Sequence, residues 1–264
     1  MKKNKRAKNA FVGLVFFFLY LPIIVLIVYS FNTSKMNIVF EGFTLKWYKY
    51  LFSDTDLIMA FVNTMIIAIT STVISTVIGT IGAIGLKKYN FKYDSFIKKL
   101  LYIPIVIPEI VLGISLLSVY TLMKLELGMF TLILSHIAFS IPFVVVSVRS
   151  SLNLDLDTYE EAASDLGASN FKIFSKITLP LIMPGVISGA TLAFTLSLDD
   201  VVISYFTAGP GSNTLPLKIY SMIKTGITPD VNALSSLMLI AVIIVLSTSA
   251  IIQSRKIAEK YRYE

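Results

Sequence analysis

Three carboxylates stand in stretches that otherwise read as lipid-soluble helix: Glu109 in IPIVIPEIVLGISLL, and Asp199 with Asp200 in TLSLDDVVISYF. An aspartate at the centre of a membrane helix costs about 2.5–3.5 kcal/mol on insertion scales, so these side chains require a compensating partner. Intramembrane acids usually face a bundle interior or a water-filled path. There they meet a passing cation, a donor on a neighbouring helix, or a basic residue of a second chain, and residue type alone leaves these readings open. Other chemistries are excluded. The chain has no cysteine, so disulfides, thiolate metal sites and cysteine nucleophiles are absent. His136 is the single histidine, which rules out a zinc site of the H-E-x-x-H kind; it reads as a hydrogen-bonded packing residue. No Gly-Lys dipeptide occurs, so no P-loop can cradle phosphates. Neither a metal nor a cofactor is expected.

The elements that position these acids follow from composition. Of 264 residues, 55% are hydrophobic and 15% charged, and the mean hydropathy is +0.78, which points to lipid as the solvent. Six apolar stretches are long enough to cross a hydrocarbon core, near 10–31, 58–85, 100–123, 129–149, 184–206 and 232–252. The first follows MKKNKRAK, but it is long for a signal peptide and no small-residue cleavage site follows, so it reads as an uncleaved span. With the N-terminus inside, the inner segments hold 17 of the 23 Lys/Arg and the outer ones six. This asymmetry supports six spans with both termini cytoplasmic. It also accounts for the net charge of +7 without nucleic acid. Pro104 and Pro108 should kink the third span.

In the fifth span, at about 100° per residue, Gly185, Gly189, Ala193, Ser197, Asp200 and Ser204 share one stripe. Phe194, Leu198, Val201 and Tyr205 form a bulky neighbouring face. Asp199 points about 100° away from Asp200, so the two acids need not do the same job. Counted from Gly185, the pair lies about 21–24 Å from the cytoplasmic end.

Between the fourth and fifth spans, residues 150–183 read as two short helices on the cytoplasmic side. Asp157 caps the first, with Glu160 three positions on completing a capping-box-like arrangement, and Gly167 supplies the left-handed residue that ends it. Ser169 caps the second, whose Phe171, Phe174 and Ile177 form an apolar flank while Lys172 and Lys176 face water, until Pro180 and Pro184 stop it. An amphipathic pair of this kind either lies on lipid or docks on a partner.

Glu161, Ala162, Ala163, Gly167, Ile177, Leu179 and Pro180 carry the pattern EAA, three residues, G, nine residues, I, one residue, LP. In this the chain resembles the permease subunits of binding-protein-dependent ABC importers. The resemblance implies an all-α membrane protein of six transmembrane helices with a cytoplasmic coupling-helix loop, forming one permease domain over 1–264. It also implies that the seven motif residues form the contact with a cytoplasmic ATPase, which hydrolyses ATP in place of this chain. The implied partners are a second homologous permease, two ATPase copies and an extracytoplasmic solute-binding protein, in a multi-pass subunit of the cytoplasmic membrane bathed in lipid.

Further stretches, SFNTSKMNIVFEGFTLKWYKYLF, LAFTLSLDDVVISYF and GPGSNTLPLKIYSMIKTGITPDVNALSSL among them, are similar to the spermidine/putrescine importers of that family. A polyamine is a flexible polycation with an aliphatic body, complementary to carboxylates and an aromatic surface. Glu109, Ser197, Asp199, Asp200 and Trp47 are therefore the expected path residues, with an interfacial belt role as the other reading of Trp47. The alternatives are an importer of another solute, such as iron or sulfate, and a non-transporting scaffold. An anion path should display Arg or Lys, and spans three and five display none.

Overall fold

Apolar runs separated by proline, glycine and charged clusters give helices throughout a computed structural model that describes residues 2–35, 39–89, 94–152, 155–226, 228–240 and 243. In chain order these are α1 (Lys2–Tyr29), α2 (Lys46–Ser53), α3 (Thr55–Lys88), α4 (Asp94–Val106), α5 (Glu109–Leu122) and α6 (Met129–Ser150). Then come α7 (Asp155–Asp165), α8 (Asn170–Ile173), a π-helical turn (Phe174–Thr178), α9 (Leu179–Asp199), α10 (Val202–Thr207) and α11 (Leu215–Thr225). A further helix covers 229–240.

Four helical segments among the described residues are long and apolar enough to cross a membrane: Phe11–Tyr29, Thr55–Lys88, Met129–Ser150 and Asn170–Asp199. Ser95–Val106 and Glu109–Leu122 qualify together as a bent pair. These overlap the first five expected spans. The sixth, 232–252, begins within the helix over 229–240 and, apart from residue 243, continues outside the described residues.

The chain divides into two units, Met1–Thr55 with Ile219–Glu264, and Asp56–Lys218. In the second, α6 is clamped between α3 and α9 through Val144. A Cβ on Gly79 of α3 would fall 2.6 Å from Val144 Cγ1, and one on Gly189 of α9 would fall 3.1 Å from Val144 Cα. Absence of a side chain at these two positions lets the helices approach as membrane helices must when lipid is as apolar as their own side chains. Ala83, Leu86, Val145, Val148, Leu156 and Ile182 fill the same core.

Three expectations are corrected. The third span is not one kinked helix: α4 and α5 meet at 111°. The residue before a proline is driven out of the helical region, so Ile107 leaves the helix and Pro108 (φ −54, ψ 135) starts the next. The fifth span ends at Asp199, short of 206; Asp200 is extended (φ −64, ψ 126) and α10 restarts at Val202. Nor do Pro180 and Pro184 stop the second insert helix, which runs unbroken over Asn170–Asp199. Pro180 is the second residue of α9, and the wide π turn just ahead of it relieves the clash a proline makes with the carbonyl four residues back.

The insert differs in register as well. Asp157 lies inside α7, in the first turn of Asp155–Asp165, and so does not cap it, while Leu156 beside it enters the core. Ser169 stands ahead of α8 as expected, although its hydroxyl makes no capping bond. Ile173 and Thr178 take the buried side, leaving Phe171 and Phe174 exposed; the expected apolar flank is rotated outward.

Candidate functional site

The break after Asp199 is built around Asp200. The Ile203 backbone N–H donates to Asp200 Oδ1 at 3.1 Å, and the Ser204 N–H and hydroxyl each donate to Oδ2 at 2.7 Å. These bonds satisfy orphan donors at the start of α10, which explains why the chain can restart a helix here. His136 of α6 closes the arrangement from behind. Its Nε2 lies 3.1 Å from Ser204 Oγ and 3.5 Å from Asp200 Oδ2, and its Nδ1 lies 2.7 Å from Ser197 Oγ. Ser197 in turn is 3.2 Å from Ser71 Oγ on α3.

Because the Ser204 proton goes to Asp200, the Ser204 oxygen accepts from Nε2–H, which fixes a proton on that nitrogen. All five side chains are buried, Asp200 at 8% exposure and His136 at 2%. Asp200 and Ser197 therefore tie α3, α6, α9 and α10 together rather than offering open oxygens.

Asp199, the last residue of α9, is exposed, and so is Glu109, the first residue of α5 after the bend. α10 packs on α5, with Phe206 against Gly113. Glu109 thus opens the helix on which α10 packs, and Asp199 closes the helix that α10 follows. Tyr120 Oη of α5 bonds Ser135 Oγ of α6 at 2.8 Å, and Thr131 Oγ1 of α6 donates to the Thr207 carbonyl at 2.9 Å, so the three helices that frame the acids are fixed to one another. Two exposed carboxylates therefore stand on a hydrogen-bonded base, chemistry suited to a cation.

Trp47 belongs to the other unit. Its indole Nε1–H donates to the Asn32 carbonyl at 2.7 Å. The Asn32 side chain meanwhile organises the preceding loop, accepting from Glu41 N–H at 2.9 Å and donating to the Val39 carbonyl at 2.8 Å. The ring is half-buried and lines a small cavity of about 200 Å³ with Lys35, Tyr50, Thr228 and Asp230. The Lys46 ammonium sits 4.5 Å from its centroid, so the face has cation-binding geometry.

In the insert, Gly167 has φ +79, the left-handed conformation expected of it. The turn is closed by Gly167 N–H to the Ser164 carbonyl at 2.8 Å and Ala168 N–H to the Ala163 carbonyl at 3.0 Å. Glu161 and Ala162 are exposed and Ala163 is half-buried; beyond the turn, Ile177 and Leu179 are half-buried and Pro180 is exposed. Around the turn stand Tyr159, Leu166 and Phe171, the last two at 88% and 80% exposure. Apolar side chains this exposed on a hydrophilic insert are available for contact.

A family model described as "Binding-protein-dependent transport system inner membrane component" matches residues 75–263. The chain belongs to that family. The spermidine/putrescine transport system permease protein PotC of Escherichia coli (strain K12) is 43% identical to this permease over 249 residues, 94% of each chain. The putrescine transport system permease protein PotI of the same strain is 40% identical over 238 residues, 87% of this chain and 84% of that one. A solved bacterial ABC transporter involved in the import of the acidic polysaccharide alginate superposes with a TM-score of 0.72, covering 94% of this permease and 96% of that chain. At 16% identity this shows the fold alone. The permease is thus an all-α, multi-pass membrane component of a transport system.

His136 is, as expected, a hydrogen-bonded packing residue, with Ser197 and Ser204 of the stripe as its partners. Sequence reasoning missed the pairing of two acids in the insert. Glu160 was read as a capping residue, but it pairs with Lys88 at 2.6 Å, and Asp157 pairs with Lys87 at 3.3 Å. The adjacent lysines ending α3 were the available clue.

Proposed function

We propose that this chain is the permease subunit of a polyamine importer, moving spermidine or putrescine inward by alternating access while a separate subunit hydrolyses ATP. The observation that carries this reading is the pair of exposed carboxylates, Glu109 opening α5 and Asp199 closing α9, on helices linked through the packing of α10 on α5. Neither 100–123 nor 184–206 contains a lysine or arginine that would neutralise them. The ammonium groups of a polyamine are hydrogen-bond donors matched to such oxygens. The names of the similar polyamine permeases support the same substrate class.

In this reading Trp47 offers an aromatic surface to the aliphatic part of the solute. Glu161, Ala162, Ala163, Gly167, Ile177, Leu179 and Pro180, with exposed Leu166 and Phe171, dock on the ATPase. The chain acts as a single permease domain over 1–264. Both termini and the insert lie in the cytoplasm, in keeping with the Lys/Arg distribution. A second homologous permease completes the path, two ATPase copies drive it, and an extracytoplasmic binding protein delivers the solute.

The test is uptake of labelled spermidine by proteoliposomes holding the complex with and without this chain. Uptake that needs the chain and ATP supports the reading; an assembled complex that imports neither spermidine nor putrescine sinks it.

A further inference from the structure

We propose that Glu160, the residue before the EAA motif, is a positioning residue that joins the coupling segment to two membrane helices and carries its displacement to the acids at the helix break. The proposal rests on the permease reading above. Its basis is one carboxylate shared by three elements. Glu160 projects from α7, pairs through Oε2 with Lys88 Nζ at the end of α3 at 2.6 Å, and accepts through Oε1 the hydroxyl of Thr178, the last residue of the π turn before α9. Its side chain is 13% exposed and that of Lys88 34%, so the carboxylate is largely withdrawn from solvent while the ammonium is not.

The neighbouring pair decides which acid matters. Asp157 also reaches a lysine, Lys87 at 3.3 Å, but its side chain is 53% exposed, and exposed pairs contribute little. Asp155, Glu161 and Asp165 are exposed. Glu160 is therefore the acid through which α7 grips α3 and the start of α9. From Thr178 onward α9 runs as one helix of 21 residues to Asp199, about 30 Å by helical rise. A shift of α7 imposed at the contact surface reaches Thr178 through the Glu160 carboxylate, and a continuous helix delivers it to the break. The π turn lies at this joint, a departure from regular α-helical bonding of the kind frequent at functional sites.

The test uses the full reconstituted complex with its binding protein and measures spermidine imported per ATP hydrolysed, per assembled complex. Glu160→Gln keeps the acceptor for Thr178 but removes the charge that Lys88 needs. It should lower the ratio about 5-fold or more, the scale of a typical coupling between sites. Thr178→Val, which removes the hydroxyl that the Glu160 carboxylate accepts while keeping the side-chain volume, should lower the ratio as well. Asp157→Asn, which breaks only the exposed pair, should leave it at the parental value. A purely structural role would lower complex yield without changing the ratio. A parental ratio in Glu160→Gln, or in Thr178→Val, overturns the proposal while the permease reading stands. A parent complex that hydrolyses ATP without importing spermidine overturns both.

Discussion

His136 Nε2 lies 3.5 Å from Asp200 Oδ2, with the Ser204 hydroxyl between them bonded to both. This buried link separates two adjacent aspartates by role: Asp200 holds the helix break, and Asp199 stands exposed at its edge.

Asp200→Asn should therefore act on assembly. The amide must turn one N–H₂ face toward donors that the carboxylate satisfied, leaving a buried donor unpaired at about 1–3 kcal/mol. The purified complex should be recovered in lower yield and melt at lower temperature than the Asp199→Asn complex. Equal yields and melting temperatures for the two variants would contradict the division of roles.

Replacing His136 by Ala removes the partner of Ser197 and Ser204 and opens a cavity, a combined loss of at least about 1–3 kcal/mol. Thermal unfolding of the complex should shift down, and His136→Asn, which keeps one ring-nitrogen position, should recover part of the loss. An unshifted transition in His136→Ala counts against the network.

Gly167→Val should uncouple hydrolysis from uptake. Nothing lies within 4 Å of a Cβ there, so the penalty comes from φ +79 alone, about 1–2 kcal/mol for an L-residue in the left-handed region. Membrane insertion should be normal, while spermidine uptake per ATP falls. Parental uptake per ATP would mean that the turn conformation is irrelevant to coupling.

Gly189→Leu should separate α6 from α9, since a Cβ there already meets the Val144 backbone at 3.1 Å. Overpacking of this kind costs about 1–3 kcal/mol. Reduced yield of folded chain in detergent is the expected result, and a parental yield would show that the helices can part freely.

The spans were legible because twenty-residue apolar runs leave few alternatives in lipid, and Gly167 was legible because a small residue after a helical pattern has one common use. The breaks were less so. Pro108 signalled a disturbance, but how far α4 and α5 part depends on tertiary packing that no local pattern encodes. Asp200 looked like half of a charged pair, and only the approach of His136 and Ser204 from other elements shows it to be a cap. Pro180 misled in the opposite direction, because the π turn that accommodates it has no residue signature. The EAA pattern marked the insert in sequence, but no local signal told that Leu156 enters the core and that Asp157 lies inside the first turn of α7.

The central claim, that Glu109 and Asp199 serve as counter-ions for a polyamine, is tested most directly by labelled spermidine uptake in proteoliposomes of the Glu109→Gln, Asp199→Asn double variant, normalised to assembled complex. Each neutral amide keeps the size of its carboxylate and removes a charge-assisted contact, on the order of 1.5–3 kcal/mol apiece. The account predicts that complex yield and solute binding by the external protein are unchanged while uptake falls about 10-fold or more. Uptake at the parental rate would contradict it.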